Sequence, residues 1–180
     1  METVIYNTGN LAKDEIDDCV KKARAVLVNN KNEVLLARYA NMYMLPGGSV
    51  DTKKESFAQG LERELQEETG LENYEMDPEP FLVIHDYIRN YPKRDDSGTT
   101  NRYTETQFFL VRMNETTHLT KKHLTASEQE KGFTTRFVPI TLLSTLIQMT
   151  PSDNAKNVYF VRELLTVLDH LPETYKKLVK

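Results

Sequence analysis

Apolar residues fall in short blocks along most of the chain, and their spacing changes character once. Residues 23–28 (ARAVLV) and 33–39 (EVLLARY) flank Asn29, Asn30, Lys31 and Asn32. Asparagine tolerates the left-handed backbone of tight turns, so the two blocks predict a β-hairpin. Past Pro46, Gly47 and Gly48 the period lengthens. Phe57, Leu61 and Leu65 recur at i, i+4 and i+8, Ser56 and Gln59 have capping-box spacing, and Gly70 stands where a left-handed stop belongs. This predicts a helix over 57–69. Pro78 and Pro80 break the chain before two strands, 81–88 and 105–113, expected to pair across a polar loop at 89–102. Pro139 introduces an apolar segment, 140–147, and Val158, Val161, Leu165 and Leu168 mark an amphipathic helix over about 154–171, ending before Pro172. Residues 1–20, polar and acidic, read as a lead-in strand or loop with a short helical piece.

Strands before and after a central helix, with helices at the end, imply an α/β chain in which a mixed sheet lies between helices. No repeat or linker divides it, so 1–180 is expected to be a single domain. Its 180 residues, 39% hydrophobic and 28% charged, suffice for one core. A net charge of -4 argues against an electrostatic grip on a nucleic acid polymer or an anionic membrane, and leaves small polyanions bound through metal. Cys19 is the only cysteine, which rules out an internal disulfide or a Cys-rich zinc site and suits a reducing compartment. The start, METVIYNTGN, lacks a signal pattern, and the apolar runs fall far short of the ~20 residues that span a bilayer. A cytoplasmic location is expected.

The chemistry concentrates in one stretch, LPGGSVDTKKESFAQGLERELQEETGL, residues 45–71, where Glu55, Glu62, Glu64, Glu67 and Glu68 crowd around a single Arg63. At about 100° per residue, Phe57, Leu61 and Leu65 span an arc of about 80° facing the core. Glu64 and Glu68 fall on or beside that arc and Glu67 about 60° beyond Glu64, whereas Gln59, Glu62 and Gln66 point outward. Like charges at i+3 and i+4 repel, more so where water is partly excluded. Arg63 offsets one of them; the remaining hard oxygens suit Mg²⁺ or Mn²⁺ rather than zinc. A solvated acidic helix surface is the competing reading, and the commoner one for Glu-rich helices. Ser56 reads as an N-cap rather than a nucleophile, Thr52 and Glu55 repeat the capping spacing one turn earlier, and Pro46, Gly47 and Gly48 read either as a turn or as backbone able to approach a cation.

In order, these residues resemble the signature of the Nudix (MutT-like) hydrolase family: Gly, five residues, Glu, seven residues, then Arg-Glu-U-x-Glu-Glu-x-Gly-U, with U a bulky aliphatic residue. From Glu55 onward every fixed position matches, through Arg63, Glu64, Leu65, Glu67, Glu68, Gly70 and Leu71. Gly48 stands one residue too far from Glu55, with Ser49 in the counted glycine position, as a one-residue loop insertion would produce. The resemblance implies an α/β/α sandwich that hydrolyses a nucleoside diphosphate linked to another group. It implies divalent metal, Mg²⁺ or Mn²⁺, held by Glu64, Glu67 and Glu68 with the Gly48 carbonyl, while Arg63 and Glu55 hold helix and loop. The proton acceptor stays open between Glu67, Glu68 and a later carboxylate such as Glu128 or Glu130. Residues 131–139 resemble the family's late strand. Homodimers are common in such families.

For substrate, Arg89, Lys93, Arg94 and Arg102 interleave with Tyr87, Tyr91 and Tyr103, offering both phosphate-pairing and base-stacking groups. Arg38, Tyr87, Arg94 and Tyr103 are the candidate substrate contacts, for a small nucleotide-type molecule. Nucleoside triphosphates including oxidised forms, ADP-ribose and dinucleoside polyphosphates remain open. A non-catalytic nucleotide-binding or regulatory module is the alternative from another class. An isomerase resembling isopentenyl diphosphate isomerase ranks last, because Cys19 lies outside the matched stretch.

Overall fold

A computed structural model describes residues 1–39, 42–93, 97–113, 132–149 and 155–179. Among these, nine strands form one mixed sheet: β1 (Glu2–Tyr6), β2 (Asp18–Val28), β3 (Glu33–Tyr39), β4 (Met42–Met44), β5 (Gly47–Ser49), β6 (Glu75–Met76), β7 (Leu82–Pro92), β8 (Thr99–Arg112) and β9 (Thr134–Pro139). The order is β1-β7-β8-β2-β3-β4, with β5 on β2, β6 on β8 and β9 on β3. Parallel pairs β1·β7 and β2·β8 mix with antiparallel β7·β8, β2·β3 and β2·β5.

The predicted hairpin is β2–β3, closed by Asn29 and by Asn32 with a left-handed φ of 58°. The expected polar loop at 89–102 is a correction: most of it is strand. β7 continues to Pro92 and β8 begins at Thr99, because pairing with a neighbour, rather than apolar alternation, holds these residues extended. An irregularity between Ile88 and Tyr91, with Asn90 at φ 57°, shifts the register there. Strand β1 and a 3-10 turn at Lys13–Glu15 resolve the lead-in segment.

Helix α1 (Phe57–Thr69) lies on one face of the sheet, with Leu61 and Leu65 against Ala23, Ala25, Leu27, Leu35, Phe109 and Val111. On the other face pack α2 (Leu143–Gln148), α3 (Ala155–Asp169) and α4 (Glu173–Val179), burying Leu143, Ile147, Leu164 and Val167 against Val26, Leu36, Leu82, Phe108 and Leu110. This is the α/β/α sandwich. The predicted final helix stops at Asp169, and α4, not expected from the sequence, starts just past Pro172, where proline's fixed φ suits a first turn.

Helix α1 begins and ends as its sequence dictates. Ser56 Oγ accepts from the Gln59 N–H at 3.2 Å, and Gln59 Oε1 accepts from the Ser56 N–H at 2.9 Å. At the far end Gly70 adopts φ 68° and its N–H bonds the Gln66 carbonyl at 2.9 Å. Among the described residues no helix is long and apolar enough to cross a membrane.

Candidate active site

The acidic residues sit where α1 meets β5, and helical period alone sorts them. Glu68 is 5% exposed, the Glu64 side chain is 17% exposed, and Glu67 keeps 45% of its side chain in solvent. Gln59, Glu62 and Gln66 face water.

Arg63 organises the group. Its Nη2 donates to Glu55 Oε1 at 2.9 Å and to the Ser49 carbonyl at 3.2 Å, and its Nε donates to Glu55 Oε2 at 3.3 Å. Nη1 donates to Glu64 Oε1 at 2.8 Å and lies 3.7 Å from Glu67 Oε2. One planar guanidinium thus ties the loop, the approach to the helix and two acidic residues together, a task the single ammonium of lysine cannot perform. Hydrogen bonding from Arg63 holds the Glu55 carboxyl below its ordinary value. Burial pushes Glu64 up, against the pull of Arg63. The second capping box expected from Thr52 and Glu55 is a correction: Asp51 turns the chain, accepting from the Lys53 N–H at its side chain and from the Glu55 N–H at its carbonyl. Glu55 keeps both a structural and an electrostatic role, its Oε1 accepting from the Asp51 N–H at 3.4 Å and its carboxylate from Arg63.

Both glycines are needed as glycines. Gly47 has φ 124° and a Cβ there would strike the Ala23 carbonyl; its N–H donates to Glu68 Oε2 at 2.9 Å. Gly48 pairs with Ala23, and a Cβ on it would lie 2.5 Å from either Glu64 oxygen. The extra residue before Glu55 therefore leaves Gly48 against Glu64; the chain takes up the difference downstream, where Asp51 turns it.

The donors suit a divalent cation in kind and neighbourhood, since carboxylates are hard ligands and the missing side chain of Gly48 leaves room beside Glu64. Among the described residues, however, no three His, Cys, Asp or Glu side chains converge as a ready-made cluster. Arg63 supplies the compensating charge in this arrangement.

Strand geometry separates the expected substrate contacts. Tyr87 and Tyr103 are register partners with ring centroids 4.9 Å apart, on the α1 face beside His85, whose Nδ1 lies 2.7 Å from the Tyr103 hydroxyl. Glu105, ion-paired with Lys21, adjoins them. Arg38 is exposed and, by strand alternation from Leu36, belongs to the opposite face. Arg94, Glu128 and Glu130 lie outside the described residues. Past the irregularity at Asn90 the alternation reverses, so Tyr91 joins Arg102 on the α3 face, the guanidinium 4.1 Å from the ring centroid.

There a cavity of about 30 Å³ lies between sheet and α3, lined by Lys22, Asp86, Tyr91, Arg102, Tyr159 and Arg162 among others. Asp86 and Arg162 form an ion pair across it, and burial pushes the Asp86 carboxyl up despite that partner. Lys22 is the register partner of Ser49, which places the cavity one strand from Gly48. Sequence reasoning missed Asp86 and Arg162. A carboxylate on the core-facing side of a strand was the available signal, but its partner is 76 residues away. Arg24, inside the apolar run ARAVLV, was missed too: it is 6% exposed, and its Nη1 donates to the Leu45 and Gly47 carbonyls at 2.8 and 2.6 Å.

The profile of the NUDIX domain family matches residues 20–160. No curated protein matches the chain. Similar solved structures include a MutT protein from work on Aliivibrio salmonicida and Vibrio cholerae (20% identity, 82% of this chain and 96% of that one, TM-score 0.47). Others are the NUDIX domain of Shewanella oneidensis NrtR complexed with ADP ribose (19%, 87% and 95%, 0.47) and a MutT protein from Bacillus halodurans (17%, 81% and 82%, 0.45).

Proposed function

The chain belongs to the NUDIX domain family, and from that membership we propose that it is a divalent-metal-dependent hydrolase cleaving a phosphoanhydride bond in a nucleoside diphosphate linked to another group. The observation that carries this reading is the meeting of Glu64 with Gly48 and of Glu68 with Gly47 while Arg63 spans Glu55, Ser49 and Glu64. Glu64, Glu67, Glu68 and the Gly48 carbonyl are the proposed holders of Mg²⁺ or Mn²⁺. Such a cation, when bound, neutralises diphosphate charge and makes a bound water easier to deprotonate. Glu67, the most exposed of the three, is the carboxylate best placed to accept a proton. Arg63 and Glu55 hold helix and loop in register. The α3-side cavity, with Tyr91 and Arg102, is the proposed side for the nucleoside; about 30 Å³ admits a water rather than a base, so binding requires α3 to give way around Asp86 and Arg162.

The absence of a ready-made carboxylate cluster among the described residues favours a second reading, a nucleotide-binding module without turnover. Incubation with Mg²⁺ or Mn²⁺ and a panel of nucleoside triphosphates including oxidised forms, ADP-ribose and dinucleoside polyphosphates, with products identified by mass, separates the two. Cleavage within a phosphate chain that is lost with EDTA and in Glu68→Gln is the expected result. Metal-dependent binding without any cleavage would establish the module instead. Sedimentation of the same protein measures whether it forms the homodimer common among relatives.

A further inference from the structure

Arg24 is a buried charge whose hydrogen bonds are confined to one loop. Arginine is always charged, and burying a cation without a counter-ion is unfavourable enough that apolar residues of similar size often serve better. Yet Arg24 is 6% exposed, its Nε has no hydrogen-bond partner, and the carboxylate that feels its charge, Glu64, does so without a direct ion pair. Its neighbours on β2, Ala23 and Ala25, are ordinary core.

Its contacts go to one place. Nη1 bonds the Leu45 and Gly47 carbonyls, and the Ala25 N–H takes the Pro46 carbonyl between them at 2.9 Å. Three consecutive carbonyls are thereby turned toward β2. With those carbonyls anchored, the opposite edge of the same peptides is fixed: the Gly47 N–H meets Glu68 and Gly48 lies against Glu64. Gly47 and Gly48 have little stiffness of their own; pairing of β5 with β2 holds them from Gly47 onward, and Arg24 adds a side-chain grip that reaches back to Leu45.

We infer that Arg24 is a positioning residue for the metal donors: through the Leu45 and Gly47 carbonyls it holds the Gly47–Gly48 backbone against Glu64 and Glu68. This rests on the hydrolase reading above, and acts without touching substrate or metal. Partners one step behind metal donors commonly change metal affinity by about 10- to 100-fold when removed.

The test is Mn²⁺ binding, read by loss of the free-ion electron paramagnetic resonance signal, for wild type, Arg24→Met and Arg24→Lys, beside the thermal melt of each metal-free protein. The expected result is about 10-fold weaker Mn²⁺ binding in Arg24→Met. Arg24→Met should melt no lower than wild type, and Arg24→Lys, which keeps charge but not the fork, should fall between. In turnover the metal concentration at half-maximal rate should rise more than the maximal rate falls. Mn²⁺ affinity within twofold of wild type in both variants would overturn the assignment alone. Failure of wild type itself to bind Mn²⁺ would overturn the hydrolase reading and this one with it. Should both variants fail to fold, Mg²⁺ titration of ¹⁵N-labelled wild type decides: the Arg24 Nε and the Gly47 and Gly48 amide signals should move together, and a still Arg24 signal beside moving glycines would refute the link.

Discussion

At the scale of single residues, the site depends on atoms that are missing as much as on those present. Gly48→Ala places a methyl group on the Glu64 carboxylate, so either helix or β5 must retreat. Overpacking of this kind costs about 1–3 kcal/mol, and urea unfolding should show that loss together with near-complete loss of turnover. A melt unchanged from wild type would mean that Glu64 swings away freely. Tyr103 offers a spectroscopic check on the α1-side polar group. Its hydroxyl is pushed up to about 12, first by burial and then by Glu105. The folded state therefore favours the neutral phenol. That contribution is complete below pH 10, where the unfolded chain would begin to ionise, and is lost as pH rises toward 12. The difference in tyrosinate absorbance between wild type and Tyr103→Phe should have its midpoint near 12; a midpoint near 10 would contradict the network with His85 and Glu105.

At the scale of elements, α1 was legible in the sequence because each of its determinants is local. Ser56 and Gln59 lie three residues apart, Leu61 and Leu65 four, and Gly70 ends the run, so periodicity and capping suffice. Ser56→Ala should cost about 1 kcal/mol and lower the melting temperature by about 2–4 °C, with little change in the ratio of maximal rate to half-saturating substrate. A loss of turnover without a loss of stability would return Ser56 to the catalytic candidates. Strands β7 and β8 were legible only in their apolar halves. The polar ends of these strands, 89–92 and 99–102, carry no alternation, and they are extended because the facing strand supplies hydrogen bonds. The same irregularity at Asn90 decides which face Tyr91 occupies, and no spacing rule reveals it. Hence Arg102→Ala should alter substrate ranking more than Tyr87→Ala, measured across the nucleotide panel; the reverse order would move the nucleoside to the α1 face.

At the scale of the whole molecule, the sheet and α3 are held together by partners distant in sequence: the Tyr6 hydroxyl with Thr166 Oγ1 at 2.7 Å, and Asp86 with Arg162. Removing only Asp86 strands a half-buried cation, and Asp86→Ala should cost about 1–3 kcal/mol, whereas the double variant Asp86→Ala, Arg162→Met should recover part of it. Additive losses in urea unfolding would show the pair to be uncoupled. What the sequence by itself determined was the acidic helix, its caps, the β2–β3 hairpin and the family signature, because hydrophobic period and turn chemistry act within a few residues. What only the tertiary structure decided was how Arg63 is shared between Glu55 and Glu64, why Gly48 tolerates the inserted residue, and that Arg24 grips the loop. It also decided that Arg38 and Tyr87 lie on opposite faces of one sheet. Those facts depend on which strands become neighbours, a choice made by burial over the entire chain and expressed in no local spacing.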